Sequence, residues 1–130
     1  MLDSAIQHLL EETIDSPIKL QLCLLFYENR RLEGTAAQLA NRMYRDIWST
    51  REALREMAED GILAENMTGS DPTYRYRPLA QYTEAIFRLA QSYNEPFERD
   101  QIQRVLHDIA SYARYLRTRN RSSGFELQGL

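Results

Sequence analysis

Lysine is nearly missing from this sequence: Lys19 is the only one among 16 basic side chains, and the rest are arginine. With 19 acidic residues and a formal net charge of −3, binding of nucleic acid by bulk positive charge is excluded. A single cysteine, Cys23, excludes an internal disulfide, and two histidines, His8 and His107, leave little for a metal site. No apolar run reaches the roughly 18 residues of a membrane span, and no secretory leader is recognisable, so the expectation is a soluble, cytoplasmic protein. No glycine-rich phosphate loop, internal repeat or low-complexity segment occurs. What is present is ordinary globular composition, 43% hydrophobic and 27% charged over 130 residues, enough for one domain.

The charge is unevenly placed. Residues 1–16 hold four acids (Asp3, Glu11, Glu12, Asp15) and no base, whereas residues 17–78 hold nine of each sign. Residues 79–130 are slightly basic, with Arg114, Arg117, Arg119 and Arg121 close together. Arg114, Arg117 and Arg121 share a helical face, where they can complement a helix C-terminus, DNA phosphates or the acidic residues 3–15 of a second chain.

Hydrophobic spacing predicts helices interrupted by one strand pair. Residues 2–14 place Leu2, Ile6, Leu9, Leu10 and Thr13 on one helical face. Ser16 can cap a second helix with Pro17 in its first turn. That helix, about 17–30, is apolar nearly all round, which marks it as the central one. Gly34-Thr35 opens a short helix with Ala36, Leu39, Ala40 and Met43 turned inward. After a break at Tyr44-Arg45, Asp46 can cap a third helix of this group. At 100° per residue, Ile47, Thr50, Met57 and Ala58 fall within about 60° of Leu54, and Trp48, Ser49, Glu52, Arg55, Glu56 and Glu59 fall opposite. Gly61 ends it as a left-handed terminating glycine. Residues 62–66 and 74–77 then alternate as two strands around a turn, with Tyr74 and Tyr76 on one face and Arg75 and Arg77 on the other.

Three helices followed by a β-hairpin form a winged helix-turn-helix. The run LANRMYRDIWSTREALREMAEDGIL, Leu39 to Leu63, resembles the helix-turn-helix of MarR-, PadR- and related bacterial regulators. The resemblance rests on the Leu39-Ala40 pair, on Ala53-Leu54 midway along the recognition helix, and on the closing step Glu59-Asp60-Gly61-Ile62-Leu63. It covers residues 17–78, about half the chain. Where those families usually carry a glycine and a buried aliphatic residue in the turn, this chain has Tyr44 and Arg45; Ile47, on the core face, can fill the space. The implied fold is mainly α with a small β-hairpin. An N-terminal helix (1–16) and C-terminal helices (79–121) flank the winged core, and a loose tail follows (122–130).

The resemblance implies a transcriptional regulator that binds double-stranded DNA as a homodimer, without a cofactor. The start of the recognition helix enters the major groove in such proteins. Trp48, Ser49, Arg51, Glu52 and Arg55 are then the candidate base-reading residues. Arg42 and Arg45 flank them, and Arg75 and Arg77 can grip the backbone from the wing. An alternative stays open, because this segment has as many acids as bases. The acidic helix face and an exposed Trp48 suit a winged-helix module that docks a protein partner. Trp48 can equally pack sideways on the wing or a terminal helix, and Arg75 and Arg77 can be plain solvated strand residues.

Beyond the wing, Leu79, Tyr82, Ile86, Leu89 and Tyr93 recur at spacings of 3 and 4, and Ile102, Val105, Ile109, Tyr112 and Leu116 continue the pattern. The first five form a two-position heptad seam suited to dimerisation, or both stripes fold back over the central helix. The implied fold leaves room for a small effector pocket between the hairpin and the terminal helices, but nothing in the sequence points to one. Catalytic motifs are incomplete. Ser16-Pro17-Ile18-Lys19 has the S-x-x-K spacing of penicillin-binding enzymes, but no second lysine exists for a K-T-G element. His107-Asp108 is half of a metal phosphohydrolase signature, with one further histidine to complete it. Asn66-Met67-Thr68 is a formal glycosylation sequon without secretory context. Cys23 lies in the most apolar helix as a core thiol. No enzymatic activity is expected.

Overall fold

The computed structural model describes the backbone of residues 2–67 and 69–129 and the side chains of residues 2–67 and 69–112. The order of elements is α1 (Ser4–Glu12), α2 (Pro17–Glu28), β1 (Glu33–Thr35), α3 (Ala36–Met43), α4 (Ile47–Glu59), β2 (Leu63–Asn66), β3 (Thr73–Tyr76), α5 (Ala80–Tyr93) and α6 (Pro96–Gly129). The chain is thus mainly helical, with a small antiparallel sheet in the order β1-β3-β2.

Each of the first four helices starts where a polar side chain can satisfy its open N–H groups. Asp3 accepts from Ala5 N at 2.8 Å, and Ser16 Oγ accepts from Lys19 N at 3.3 Å with Pro17 in the first turn. At α3 the bonds are reciprocal: Gln38 N donates to Thr35 Oγ1 (3.2 Å) and Thr35 N donates to Gln38 Oε1 (2.9 Å). Asp46 opens α4 by accepting from Ser49 N at 2.8 Å. Gly61 ends α4 with φ +90°, a conformation that demands glycine, and a Cβ there would sit 2.5 Å from Leu79 Cδ1, so that side chain would have to shift.

Helix α2 is central, as its all-round apolarity predicts. Leu22, Cys23 and Phe26 are fully buried, and α4, α5, α6 and β3 all pack on it. Helix α1 lays Ile6, Leu9 and Leu10 against α5 and α6. In β3, Tyr74 is buried and Tyr76 half-buried while Arg75 and Arg77 are exposed, the expected alternation. Strand β1, a three-residue Glu-Gly-Thr segment, was not anticipated. It pairs Glu33 with Arg75 and Gly34 with Tyr74, making β3 the middle strand.

Two expectations need correction. Ile86, Leu89 and Ile102 are fully buried in this chain's own core, joined by Leu106, so they are not a seam open to a second chain. The reason is coverage: α1 and α2 are apolar on the faces that α5 and α6 meet, and intrachain packing uses the same three- and four-residue spacing. Tyr82, Val105 and Ile109 are half-buried against that core, whereas Leu79 and Tyr112 are exposed. Leu116, Arg114, Arg117 and Arg121 lie outside the described side chains; the backbone of α6 is helical to Gly129, through the segment read as a tail.

The second correction concerns Glu56, placed by helical spacing on the outward face of α4. It is buried, and its Oε1 lies 2.7 Å from Lys19 Nζ, which also reaches Asp15 Oδ1 at 2.7 Å. All three side chains are less than a tenth exposed. The chain's only lysine therefore joins the α1–α2 turn, α2 and α4. Two carboxylates around one ammonium in a dry site hold together when their geometry is close and their remaining hydrogen-bonding capacity is satisfied.

Candidate nucleic-acid interface

The outer surface of α4 begins at an unusual turn. Tyr44 ends α3 in the left-handed conformation (φ 58°), and Arg45 N returns to Ala40 O at 2.9 Å. Tyr44 occupies a conformation that favours glycine, at a cost of about 1–2 kcal/mol, and its side chain is 96% exposed. Ile47 is half-buried against the core. One residue on, Trp48 is 73% exposed, so it does not pack sideways on the hairpin or on α5. Arg51, one turn later, stands over the indole with its guanidinium carbon 5.3 Å from the ring centroid. That contact steadies both side chains at the surface.

The candidate residues separate into two groups. Arg42, Arg45, Arg51, Arg75 and Arg77 are exposed, and among the described residues none makes an ion pair. Arg45 is held instead by Gln21, with Nε donating to Oε1 at 2.8 Å. Arg55 differs: it is half-buried and pairs with Glu59 at 2.7 Å, so its charge is already matched. Ser49 and Glu52 are exposed between Trp48 and Arg55.

The acids of this segment are mostly engaged. Glu56 is internal, Glu59 holds Arg55, and Asp46 is tied to the helix start. Hydrogen bonds from the Ser49 backbone N–H and side chain hold the Asp46 carboxyl below the ordinary aspartate value of 3.8. Of these acids only Glu56 is withdrawn from the surface, while Asp46, Glu52 and Glu59 remain exposed.

The hairpin lies beside the same helix. Burial, and then the Glu65 carboxylate bonded to it, push the Tyr74 phenol up to about 12, while Arg55 and Arg51 act in the opposite sense. Both α4 arginines therefore lie within electrostatic reach of the middle strand. The exposed Arg75 and Arg77 extend that basic edge onto the hairpin.

Two concavities accompany this surface, the first where the sequence left room for a pocket between the hairpin and the terminal helices, the second unforeseen. A cleft of about 600 Å³ between α2, β3 and α5 is lined by Tyr27, Arg30, Tyr76 and Phe87, with the two tyrosine rings edge-on at 6.5 Å. A depression of about 330 Å³ is lined by Asn29, Arg30, Arg31, Leu32 and Arg42. The α2–β1 turn brings Arg30 and Arg31 to Arg42, a convergence that local spacing does not reveal. Among the described residues no cluster of three or more His, Cys, Asp or Glu side chains is placed to hold a metal ion, and no helix is long and apolar enough to cross a membrane. Cys23 is fully buried, and burial pushes its thiol up to about 12, so it is not a ready nucleophile. Comparisons with protein-family models, with curated proteins and with solved structures give no match to this chain.

Proposed function

We propose that this chain is a winged-helix DNA-binding protein that regulates transcription as a homodimer. The observation that carries the reading is the set of five exposed arginines that have no carboxylate partner among the described residues, Arg42, Arg45, Arg51, Arg75 and Arg77, on and beside α4 and the hairpin. A guanidinium that no acid neutralises remains available to a phosphate or a guanine edge. The order α2, α3, α4, β2, β3 supports the same reading: three helices then a hairpin, with α4 as recognition helix and β2–β3 as wing.

In this reading the N-terminal half of α4 enters the major groove. Ser49, Arg51 and Glu52 meet base edges there, and Arg42, Arg45, Arg75 and Arg77 hold the backbone on either side. Because lysine is nearly absent, non-specific affinity is weak, and binding depends on a few positioned contacts. Dimerisation draws on the apolar side chains that the core leaves exposed or half-exposed, namely Leu79, Tyr82, Val105, Ile109 and Tyr112.

The test is a gel-shift selection from a pool of genomic fragments, followed by titration of the recovered duplex. Arg51→Ala is expected to relax sequence preference, and Arg75→Ala to weaken all sequences alike and flatten the salt dependence. Recovery of no fragment overturns the reading.

A second reading is favoured by one observation, the exposure of Tyr44 and Trp48 four residues apart. Exposed aromatics are enriched at protein contact hot spots. A protein partner docking on this end of α4 would lose affinity with Trp48→Ala and keep it with Arg75→Ala.

A further inference from the structure

The depression at the end of α2 gathers cations in a way that neither the fold nor the α4 surface requires. Arg30 and Arg31 follow Asn29, the C-terminal cap of α2, and Arg42 lies in the last turn of α3. These residues come from two elements and line one concavity of about 330 Å³, with no acidic residue and no residue of α4 in its wall.

Other cations are matched by acids, Arg55 with Glu59, Arg88 with Asp3 and Glu84, Arg104 with Asp100, and Lys19 with Asp15 and Glu56, and of Arg45, Arg51, Arg75 and Arg77, unmatched among the described residues, none lines this depression. Here, among the described residues, Arg31 and Arg42 have neither an ion pair nor a side-chain hydrogen bond. Each guanidinium carries five N–H donors in a planar fork shaped for tetrahedral or carboxylate oxyanions.

Arg30 is held in advance. Its Nε donates to Tyr27 O at 3.4 Å, and its guanidinium carbon lies 4.7 Å from the Tyr27 ring centroid. Asn29 is fixed by its own bond from Nδ2 to Leu25 O at 3.0 Å. The carbonyl ends of α2 and α3 stabilise nearby cations, so the three can stand together before any anion arrives. Leu32 provides an apolar side to the same depression.

We propose that Arg30, Arg31 and Arg42 form an anion site for phosphate groups, separate from the base-reading surface of α4. The shared chemistry is a phosphate oxyanion held by forked guanidinium donors. Its source is either the backbone of a bound duplex or a soluble polyphosphate, and only the first rests on the DNA-binding reading.

The experiment titrates inorganic tripolyphosphate into the ¹⁵N-labelled full chain, wild type and Arg31→Ala/Arg42→Ala, at low salt. Both residues are exposed, so the variant is expected to melt as the wild type does. Saturable shifts of the amide signals of residues 29–32 and 41–42, weakened at least about tenfold in the variant, are expected; tenfold is the smallest change that separates a site from diffuse charge. Retention of binding by Arg31→Lys/Arg42→Lys at reduced strength also supports the site, since charge remains and the fork is lost. No saturable shift, or shifts that the Ala variant leaves unchanged, overturns it.

A second arm measures duplex affinity against salt. If the Ala variant loses affinity and about two units of salt slope, the phosphates are those of the DNA backbone. If duplex affinity is unchanged while tripolyphosphate binding is lost, the ligand is a soluble polyphosphate. If the wild type binds no duplex, the DNA reading fails and the tripolyphosphate arm alone decides the site.

Discussion

Lys19 and Glu56 meet at 2.7 Å in the contact between α2 and α4, 37 positions apart in sequence, each with less than a tenth of its side chain exposed. Asp15 reaches the same ammonium from the preceding turn. Removing the cation leaves two carboxylates together out of water. Lys19→Met is therefore expected to lower unfolding free energy by about 3–5 kcal/mol, read from urea denaturation. Replacing all three, Asp15→Leu/Lys19→Met/Glu56→Leu, should recover most of that loss, because the burial cost of the charges goes with them. A loss below about 1 kcal/mol for Lys19→Met would place the triad in wetter surroundings than described.

Tyr44 holds a left-handed backbone conformation and buries almost nothing. Tyr44→Gly relieves the steric cost but increases the freedom of the unfolded chain, and the first effect is the larger. Thermal unfolding is expected to show a gain of up to about 1 kcal/mol. A loss of stability would mean that the ring contributes packing.

At Gly61 the same backbone logic runs the other way, with a steric neighbour added. Gly61→Ala meets both the positive φ and the Leu79 side chain, and a cost of at least about 1–2 kcal/mol is expected. In a Leu79→Ala background the clash disappears and only the backbone cost stays, so the two changes are coupled. Equal penalties in the two backgrounds would contradict the close approach.

The Asp46 cap gives a pH dependence with a definite sign. Its carboxyl is held below 3.8 by bonds from Ser49, so the folded state binds this proton more weakly than the unfolded chain does. The stabilisation is fully present above the ordinary carboxylate value and is lost as pH falls through the lowered one. Asp46→Asn keeps a capping oxygen without titrating. Melting temperature should fall less steeply for Asp46→Asn than for wild type below about pH 4.

Much of this architecture was legible because local chemistry agrees with tertiary packing. Ser16, Thr35 and Asp46 mark helix starts, Gly61 marks an end, and the apolarity of Ile18–Tyr27 identifies the central helix. The alternation Tyr74, Arg75, Tyr76, Arg77 gives the faces of the hairpin. Glu56 was misplaced because a single-stripe helix analysis turns every carboxylate outward, whereas α4 is covered on a second flank by α2. Only a distant cation could bring Glu56 inside, and Lys19 had a local reading within Ser16-Pro17-Ile18-Lys19. Strand β1 escaped because three residues with a central glycine carry no period. Ile86, Leu89 and Ile102 were ambiguous for a different reason: their spacing specifies a helix partner without saying whose chain supplies it. For the candidate site, the outward position of Trp48 on α4 was readable, but not whether its ring stays exposed or packs sideways. The sorting of arginines into paired and unpaired was not, since it depends on which acids are engaged elsewhere.

Trp48 is the chain's only tryptophan and stands in the middle of the proposed contact surface, so its fluorescence reports that surface alone. The most direct test of the account is a titration of this signal with a duplex recovered from the genomic pool, repeated across salt concentrations. The account predicts a saturable change in Trp48 emission whose log affinity falls linearly with log salt, with a shallower slope for Arg75→Ala. An unchanged emission, with no duplex bound even at about 50 mM salt, would contradict it.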